Sequence, residues 1–284
     1  MLLVLVAGVV LFSAAAYATD CDLTQATSTC TVNGAIFTNS EPQPVGSGVI
    51  DSFVRISSND PFEQGYNTTA NNVFDTQSTN TFDHEVLLGL IEVVNVGGTD
   101  YYRFNLDFNQ TGSAPLLSLD EVEIFTSTFP NGSIETCNGG GACPAGTLAG
   151  VVDLTDAPVN GTLAYRLDLG GDNEVVLNYD LGPGSGGGDM FMLIPKSDFG
   201  QVDPNTTYVY LYSAFGGMGS ACDGVYFDNV PKTPITGSCG NNDGYEEWYR
   251  NLGASEVPEP ATLTLLGTGL IALGGKLRRR TKKK

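Results

Sequence analysis

The sequence predicts an all-β chain, an antiparallel β-sandwich of jelly-roll type, and three observations carry the prediction. Turn-forming residues are abundant, with 36 Gly and 14 Pro in 284 residues. Between the turns lie short runs rich in Tyr, Phe, Val and Thr, which suit a pleated, half-buried surface. No stretch of a dozen residues combines a 3.6-residue apolar period with helix caps.

The strand-like segments follow in order: GVIDSFVRI (48–56), EVLLGLIEVV (85–94), YYRFNLDF (101–108), LLSLDEVEIFTS (116–127) and TLAGVVDL (147–154). TLAYRLDL (162–169), EVVLNYDL (174–181), DMFMLIP (189–195), TYVYLYSAF (207–215) and GVYFDN (224–229) complete the set. From Tyr102 through Phe104 and Leu106 to Phe108, apolar residues fall at every second position, as one buried strand face requires. Segment 116–127 keeps that period only by slipping between Leu119 and Val122, which predicts a bulge near Asp120 and Glu121. Turns such as Gly97-Gly98 and the Gly-rich stretch 182–188 separate the runs. An apolar content of 41% is enough for a real core. With no internal repeat, a single large domain is expected.

Charge divides the chain. Seven of its 13 Lys and Arg residues lie in the last nine positions, leaving six to face all 32 acidic residues of the remainder. So acidic a body is repelled by phosphate backbones, which excludes nucleic-acid partners. A single histidine, His84, rules out sites that need two imidazoles; placed just before a strand, it reads as a solvated turn residue. No G-x-S-x-G element is present.

Both ends read as targeting segments. Residues 1–18 are an apolar run ending in Ala16-Tyr17-Ala18, the pattern of a signal peptide cleaved between Ala18 and Thr19, although no basic residue precedes the run. At the other end Val257-Pro258-Glu259-Pro260 is followed by 15 uncharged, mostly apolar residues (261–275) and a basic cluster. As a helix that segment reaches ~22 Å, short of the roughly 30 Å hydrocarbon core. The basic cluster would stay cytoplasmic, with the acidic body outside. The order of motif, hydrophobic segment and basic tail resembles the PEP-CTERM sorting signal of exopolysaccharide-producing Gram-negative bacteria. The resemblance implies Pro258, Glu259 and Pro260 as the sorting motif and a membrane-embedded exosortase as partner. It also implies a transient inner-membrane anchor and a destination at the cell surface or in the extracellular matrix, with exopolysaccharide as a further partner. The chain then divides into signal peptide (1–18), exported β-sandwich (19–255) and sorting signal (256–284). Phrases within the body, among them GVIDSFVRI (48–56), EQGYNT (63–68), LSLDE (117–121), YVYLYS (208–213) and DGYEEW (243–248), are similar to a group of PEP-CTERM surface proteins. That likeness implies a shared fold and export, without a catalytic assignment.

All six cysteines, Cys21, Cys30, Cys137, Cys143, Cys222 and Cys239, fall in the exported portion, where disulfides form. Of the fifteen pairings six cysteines allow, spacing favours pairing in order: Cys21 with Cys30, Cys137 with Cys143, and Cys222 with Cys239.

Three features bear on chemistry. The pairs Glu121/Glu123 and Glu246/Glu247 could be imagined as glycosidase carboxylates, and 121 and 123 would share one strand face, but neighbouring carboxylates of this kind are more often solubilising. Oxygen-rich turns at Asp172-Asn173-Glu174, Asp203-Pro204-Asn205 and Asn241-Asn242-Asp243-Gly244 make Ca2+ the one cofactor the sequence gives reason to expect, although none has the EF-hand pattern. Tyr208, Tyr210 and Tyr212 lie on one strand face, with Val209 and Leu211 on the other. If the aliphatic face is inside, the tyrosines become candidates for stacking on glycan rings. The reading is a non-enzymatic exported protein with a structural or adhesive sandwich. A carbohydrate-binding module is the alternative, and an extracellular glycoside hydrolase comes third.

Overall fold

The computed structural model describes residues 20–39, 50–68, 74–76, 81–128, 130, 162–169, 171, 173–182, 188–217 and 238–251. They build two β-sheets. The first contains β1 (Asp20–Asp22), β5 (Glu63–Tyr66), β6 (Val86–Leu87), β9 (Leu116–Ser127), β10 (Thr162–Arg166), β11 (Glu174–Asn178) and β13 (Tyr208–Phe215). Its order is β1-β11-β9-β13-β5, with β10 also on β9 and β6 also on β13. The second contains β2 (Thr29–Val32), β3 (Ala35–Thr38), β4 (Ile50–Ile56), β7 (Glu92–Val96), β8 (Thr99–Asp107), β12 (Met190–Pro195) and β14 (Glu246–Asn251). Its order is β2-β3-β12-β8-β14-β4, with β7 also on β8. The central pairs β9–β13 and β8–β12 are antiparallel, whereas β1 runs parallel to β11. Jelly-roll connectivity would run through residues 131–161 and 218–237, which lie outside the described residues, as do the segments 147–154 and 224–229.

Alternation builds the core. Val209, Leu211 and Phe215 of β13 join the same buried cluster as Phe104 and Leu106 of β8, Met190 and Met192 of β12, and Trp248 of β14. One apolar layer therefore unites both sheets, and each such side chain contributes roughly 1.5–3 kcal/mol on burial. Polar and covalent ties cross the same layer. Trp248 Nε1 donates to Ser213 Oγ at 2.9 Å. The disulfide Cys21–Cys30 joins β1 of the first sheet to β2 of the second, the pairing the spacing favoured.

The expected bulge sits where the period slips. Ala214 pairs with Glu121 and Phe215 with Leu119, so Asp120 is the extra residue. The single strand expected over 85–94 is instead two. A 3-10 turn, Leu88–Leu90, separates β6 in the first sheet from β7 in the second. Leu88 N and Gly89 N donate to Thr207 O and Pro204 O, both at 2.8 Å, and a Cβ at Gly89 would lie 3.1 Å from Pro204 O. The chain changes sheets at a residue small enough to let another backbone approach. Strands β1, β2, β3 and β5 are short and partly polar, and periodicity did not mark them.

Asn67 replaces ladder bonds where β5 ends. Fully buried, it donates through Nδ2 to Val209 O at 2.8 Å and His84 O at 3.2 Å, and accepts at 2.6 Å from Leu211 N. Asn67→Ala leaves these backbone groups without their partner, so urea unfolding should show a loss of about 3 kcal/mol. A loss below about 1 kcal/mol would mean that water serves them equally well.

Candidate functional site

The tyrosine row was the first candidate. Its aliphatic partners do face the core, but the tyrosines do not form a solvent-facing row. Tyr210 and Tyr212 are 1% and 2% exposed, and only Tyr208 is half-buried. The outer face of the first sheet carries a second small core in which Tyr66, Phe125, Tyr210, Tyr212 and Ala214 pack together, with Phe74 against them. The Phe74 ring centroid lies 6.3 Å from that of Tyr66 and 6.2 Å from that of Tyr212. Rings covered in this way present no face to a sugar.

Beside this cluster the same face turns acidic. Register places Glu121 opposite Ala214 and Glu123 opposite Tyr212, so the two carboxylates do share a face. They are not solubilising residues, because both are buried. Arg166, opposite Glu123 in the β9–β10 register, forms an ion pair with it. Burial first, then the charges of Asp168 and Glu123, push the Glu121 carboxyl up to about 9, and a hydrogen bond with Asp168 adds to the shift while Arg166 opposes it. At neutral pH Glu121 is therefore a neutral acid. Its Oε1 accepts from Val122 N at 2.9 Å. Tyr212 Oη donates to Gln64 Oε1 at 2.8 Å, and burial together with Glu123 and Glu121 raises that phenol's pKa. A neutral acid beside an ion-paired carboxylate is the polarity that acid–base catalysis uses. Here, however, both groups are sealed from solvent.

The pleat splits the other pair, Glu246/Glu247. Glu247 is held by Arg55, whose Nε lies 2.7 Å from its Oε1, while the guanidinium sits 3.3 Å over the Phe82 ring centroid. Arg55 N also donates to Asp83 Oδ1 at 2.9 Å, and burial pushes the Asp83 carboxyl up to about 7 despite the nearby Arg55 charge. His84, next to it, is half-buried rather than fully solvated, and its backbone N donates to Phe53 O.

Glu246 shares its side of β14 with Trp248 and faces the interior. There it meets Glu63, which lies opposite Phe215 on the inward side of the first sheet. Both are fully buried, and burial raises both carboxyl pKa values. Sequence reasoning gave Glu63 no role, because four residues of β5 with a buried Glu and Gly show no apolar alternation.

Two of the oxygen-rich turns, leaving aside Asp172, which lies outside the described residues, direct side chains to the backbone. Asn173 N donates to Asp168 Oδ1 and its Nδ2 to Leu167 O, both at 2.7 Å. Asp203 Oδ1 accepts from Asn205 N at 3.0 Å. The third docks onto the rest of the fold. Asn242 Nδ2 donates to Ala114 O at 2.8 Å, its Oδ1 accepts from Thr111 N at 2.7 Å, and Asn241 reaches Glu63. Gly244 takes a φ of +86° in this turn, where its carbonyl accepts from Ser57 Oγ at 2.9 Å.

Cys239 is buried and disulfide-bonded. Cys137, Cys143 and Cys222 lie outside the described residues, as do Ala18, Thr19, Pro258, Glu259 and Pro260. Among the described residues no helix is long and apolar enough to cross a membrane.

Comparison with known proteins bears on the C-terminus. Residues 256–280 match the PEP-CTERM protein-sorting motif, a span that includes Pro258, Glu259 and Pro260. No curated protein and no solved structure matches the chain.

Proposed function

We propose that this chain, which its PEP-CTERM motif marks as an exosortase-sorted protein exported to the cell surface, serves in the exopolysaccharide matrix of a Gram-negative cell as a structural or adhesive β-sandwich. The sorting match at 256–280 carries this reading. The body supports it through a stapled, acidic sandwich whose carboxylate pair and tyrosine face are buried. A glycoside hydrolase needs carboxyls that reach substrate, and a stacking glycan-binder needs bare rings. Glu123 and Tyr210, at 0% and 1% exposed, offer neither. The role in this reading is one of shape and charge: a stable anionic body held among polysaccharide chains.

Processing gives the direct test. Mass spectrometry of the surface-exposed protein should find a C-terminus that lacks Lys284. Replacing Pro258 and Glu259 with alanine should leave a full-length precursor in the inner membrane. Intact Lys284 on the mature surface protein would overturn exosortase processing. Release of the protein into the medium from cells that make no exopolysaccharide is the expected mark of matrix residence, and unchanged retention would count against it.

A further inference from the structure

Glu63 and Glu246 enter the sandwich from opposite sheets, where the segment before β14 crosses the loop between β4 and β5. Asn241 completes the cluster. Its Nδ2 donates to Glu63 Oε2 at 2.9 Å and lies 3.2 Å from Ser58 O. Its main-chain N donates to Pro61 O at 2.7 Å. These bonds hold the Asn241 amide against Glu63. Asn241 Oδ1 is buried and has no hydrogen-bond partner. Glu63 Oε1 and both carboxyl oxygens of Glu246 are buried as well; the two carboxyls lie within hydrogen-bonding reach of each other, and the Asn109 backbone N–H faces Glu246.

Four buried acceptors thus gather around a single main-chain donor, the Asn109 N–H. Two occupants could reconcile them. A proton shared between the carboxyls serves one oxygen of each. It leaves the Asn241 oxygen unserved, at about 1–3 kcal/mol, and the second Glu246 oxygen with the Asn109 N–H alone. A divalent cation serves all four and balances both carboxylates. Carboxylate and amide oxygens are hard donors, and the larger, geometrically tolerant Ca2+ suits them better than Mg2+, which demands a near-ideal octahedron.

We propose that Glu63, Glu246 and Asn241 form a Ca2+ site that ties the two sheets together. Among the described residues, no three His, Cys, Asp or Glu side chains gather in a metal-holding group; this site is two carboxylates and an amide, with water filling the remaining positions. So few charged ligands place its dissociation constant on the order of 10⁻⁴ M, within the range of extracellular Ca2+ modules. The site stands independently of the sorting reading, and the failure of either leaves the other in place.

Trp248, the only tryptophan of the chain, lies two residues from Glu246 on the same side of β14, roughly 7 Å along the strand. A terbium ion bound by Glu246 would be sensitised by that indole. With the full chain in detergent, stripped by EDTA, tryptophan-selective excitation should give Tb3+ emission that excess Ca2+ displaces and that equimolar Mg2+ does not. Ca2+ should also raise the unfolding midpoint. Glu246→Gln should weaken both responses at least tenfold, whereas Asp243→Asn, a change to a turn carboxylate outside the cluster, should leave both intact. No Ca2+-displaceable tryptophan-sensitised emission from the wild-type chain would overturn the site. So would an unchanged response in folded Glu246→Gln. If that variant does not fold, the wild-type emission alone decides.

Discussion

Replacing Trp248 with alanine is expected to lower the free energy of unfolding by about 4 kcal/mol, within the range for deleting a buried aromatic from a core that relaxes only partly. The indole is fully buried in the apolar layer shared by both sheets, so the cavity would open where β14 meets β13. Part of the loss is polar. Trp248 Nε1 donates to Ser213 Oγ, itself fully buried. Trp248→Phe keeps most of the ring volume and should cost less, about 2 kcal/mol, through the smaller ring and the orphaned hydroxyl. Ser213→Ala strands the indole N–H instead, at about 1–2 kcal/mol. A double-mutant cycle on Trp248→Phe and Ser213→Ala should recover a favourable coupling of about 1 kcal/mol. Urea unfolding followed by far-ultraviolet circular dichroism reads all of these without the tryptophan signal. A Trp248→Ala protein within about 1 kcal/mol of the wild type would show that β14 does not hold the two sheets together.

The strands legible in the sequence are those whose burial is one-sided. In β8 and β13 the core-facing residues fall at every second position, and even the bulge at Asp120 could be read, because one extra residue shifts the apolar set by one. Periodicity assigns residues to two faces, but it does not say what covers each face. That is why Tyr208, Tyr210 and Tyr212 could be placed on one side while the burial of Tyr210 and Tyr212 beside Phe74 and Tyr66 could not be foreseen. The split of 85–94 escaped for a related reason. An apolar run reads the same whether it stays in one sheet or crosses to the other, and only the carbonyls of Pro204 and Thr207, distant in sequence, fix the turn. Neighbouring Glu246 and Glu247 look like a pair, yet a strand sends them to opposite faces. The partner that matters to Glu246 is Glu63, on a four-residue strand of the other sheet. The C-terminal signal is the reverse case. Its meaning lies in local order and composition, so the PEP-CTERM motif was legible without any fold at all.

The protein is expected to be more stable at pH 5 than at pH 8, the opposite of the usual behaviour of a protein whose carboxylates are stabilised by ion pairs. The sign follows from Glu121. Its folded pKa is pushed up to about 9 from an ordinary 4.5, so between those values the folded state holds a proton that the unfolded state has released. Stability must then fall as pH rises, by up to about 1.4 kcal/mol per unit for one such group. The contribution is fully present below about pH 4.5 and fully lost above about pH 9. Asp83, pushed up to about 7 from 3.8 by burial, acts in the same direction over the lower part of that window. From pH 5 to pH 8 the loss traceable to Glu121 should be on the order of 3 kcal/mol, since Asp168 and Glu123 share in the titration and soften the slope. Glu121→Gln isolates it. The amide is neutral at every pH, keeps a donor for Asp168 and an acceptor for Val122 N, and removes the charge that must otherwise form in a buried site. The variant should match the wild type at pH 5 and exceed it by about 2–3 kcal/mol at pH 8, so that its stability varies less with pH. Urea unfolding at half-unit steps from pH 5 to pH 8 measures the slope directly. A wild-type stability that rises across this range, or a Glu121→Gln slope equal to that of the wild type, would mean that Glu121 is ionised in the fold. Arg166 would then be neutralising two carboxylates, not one.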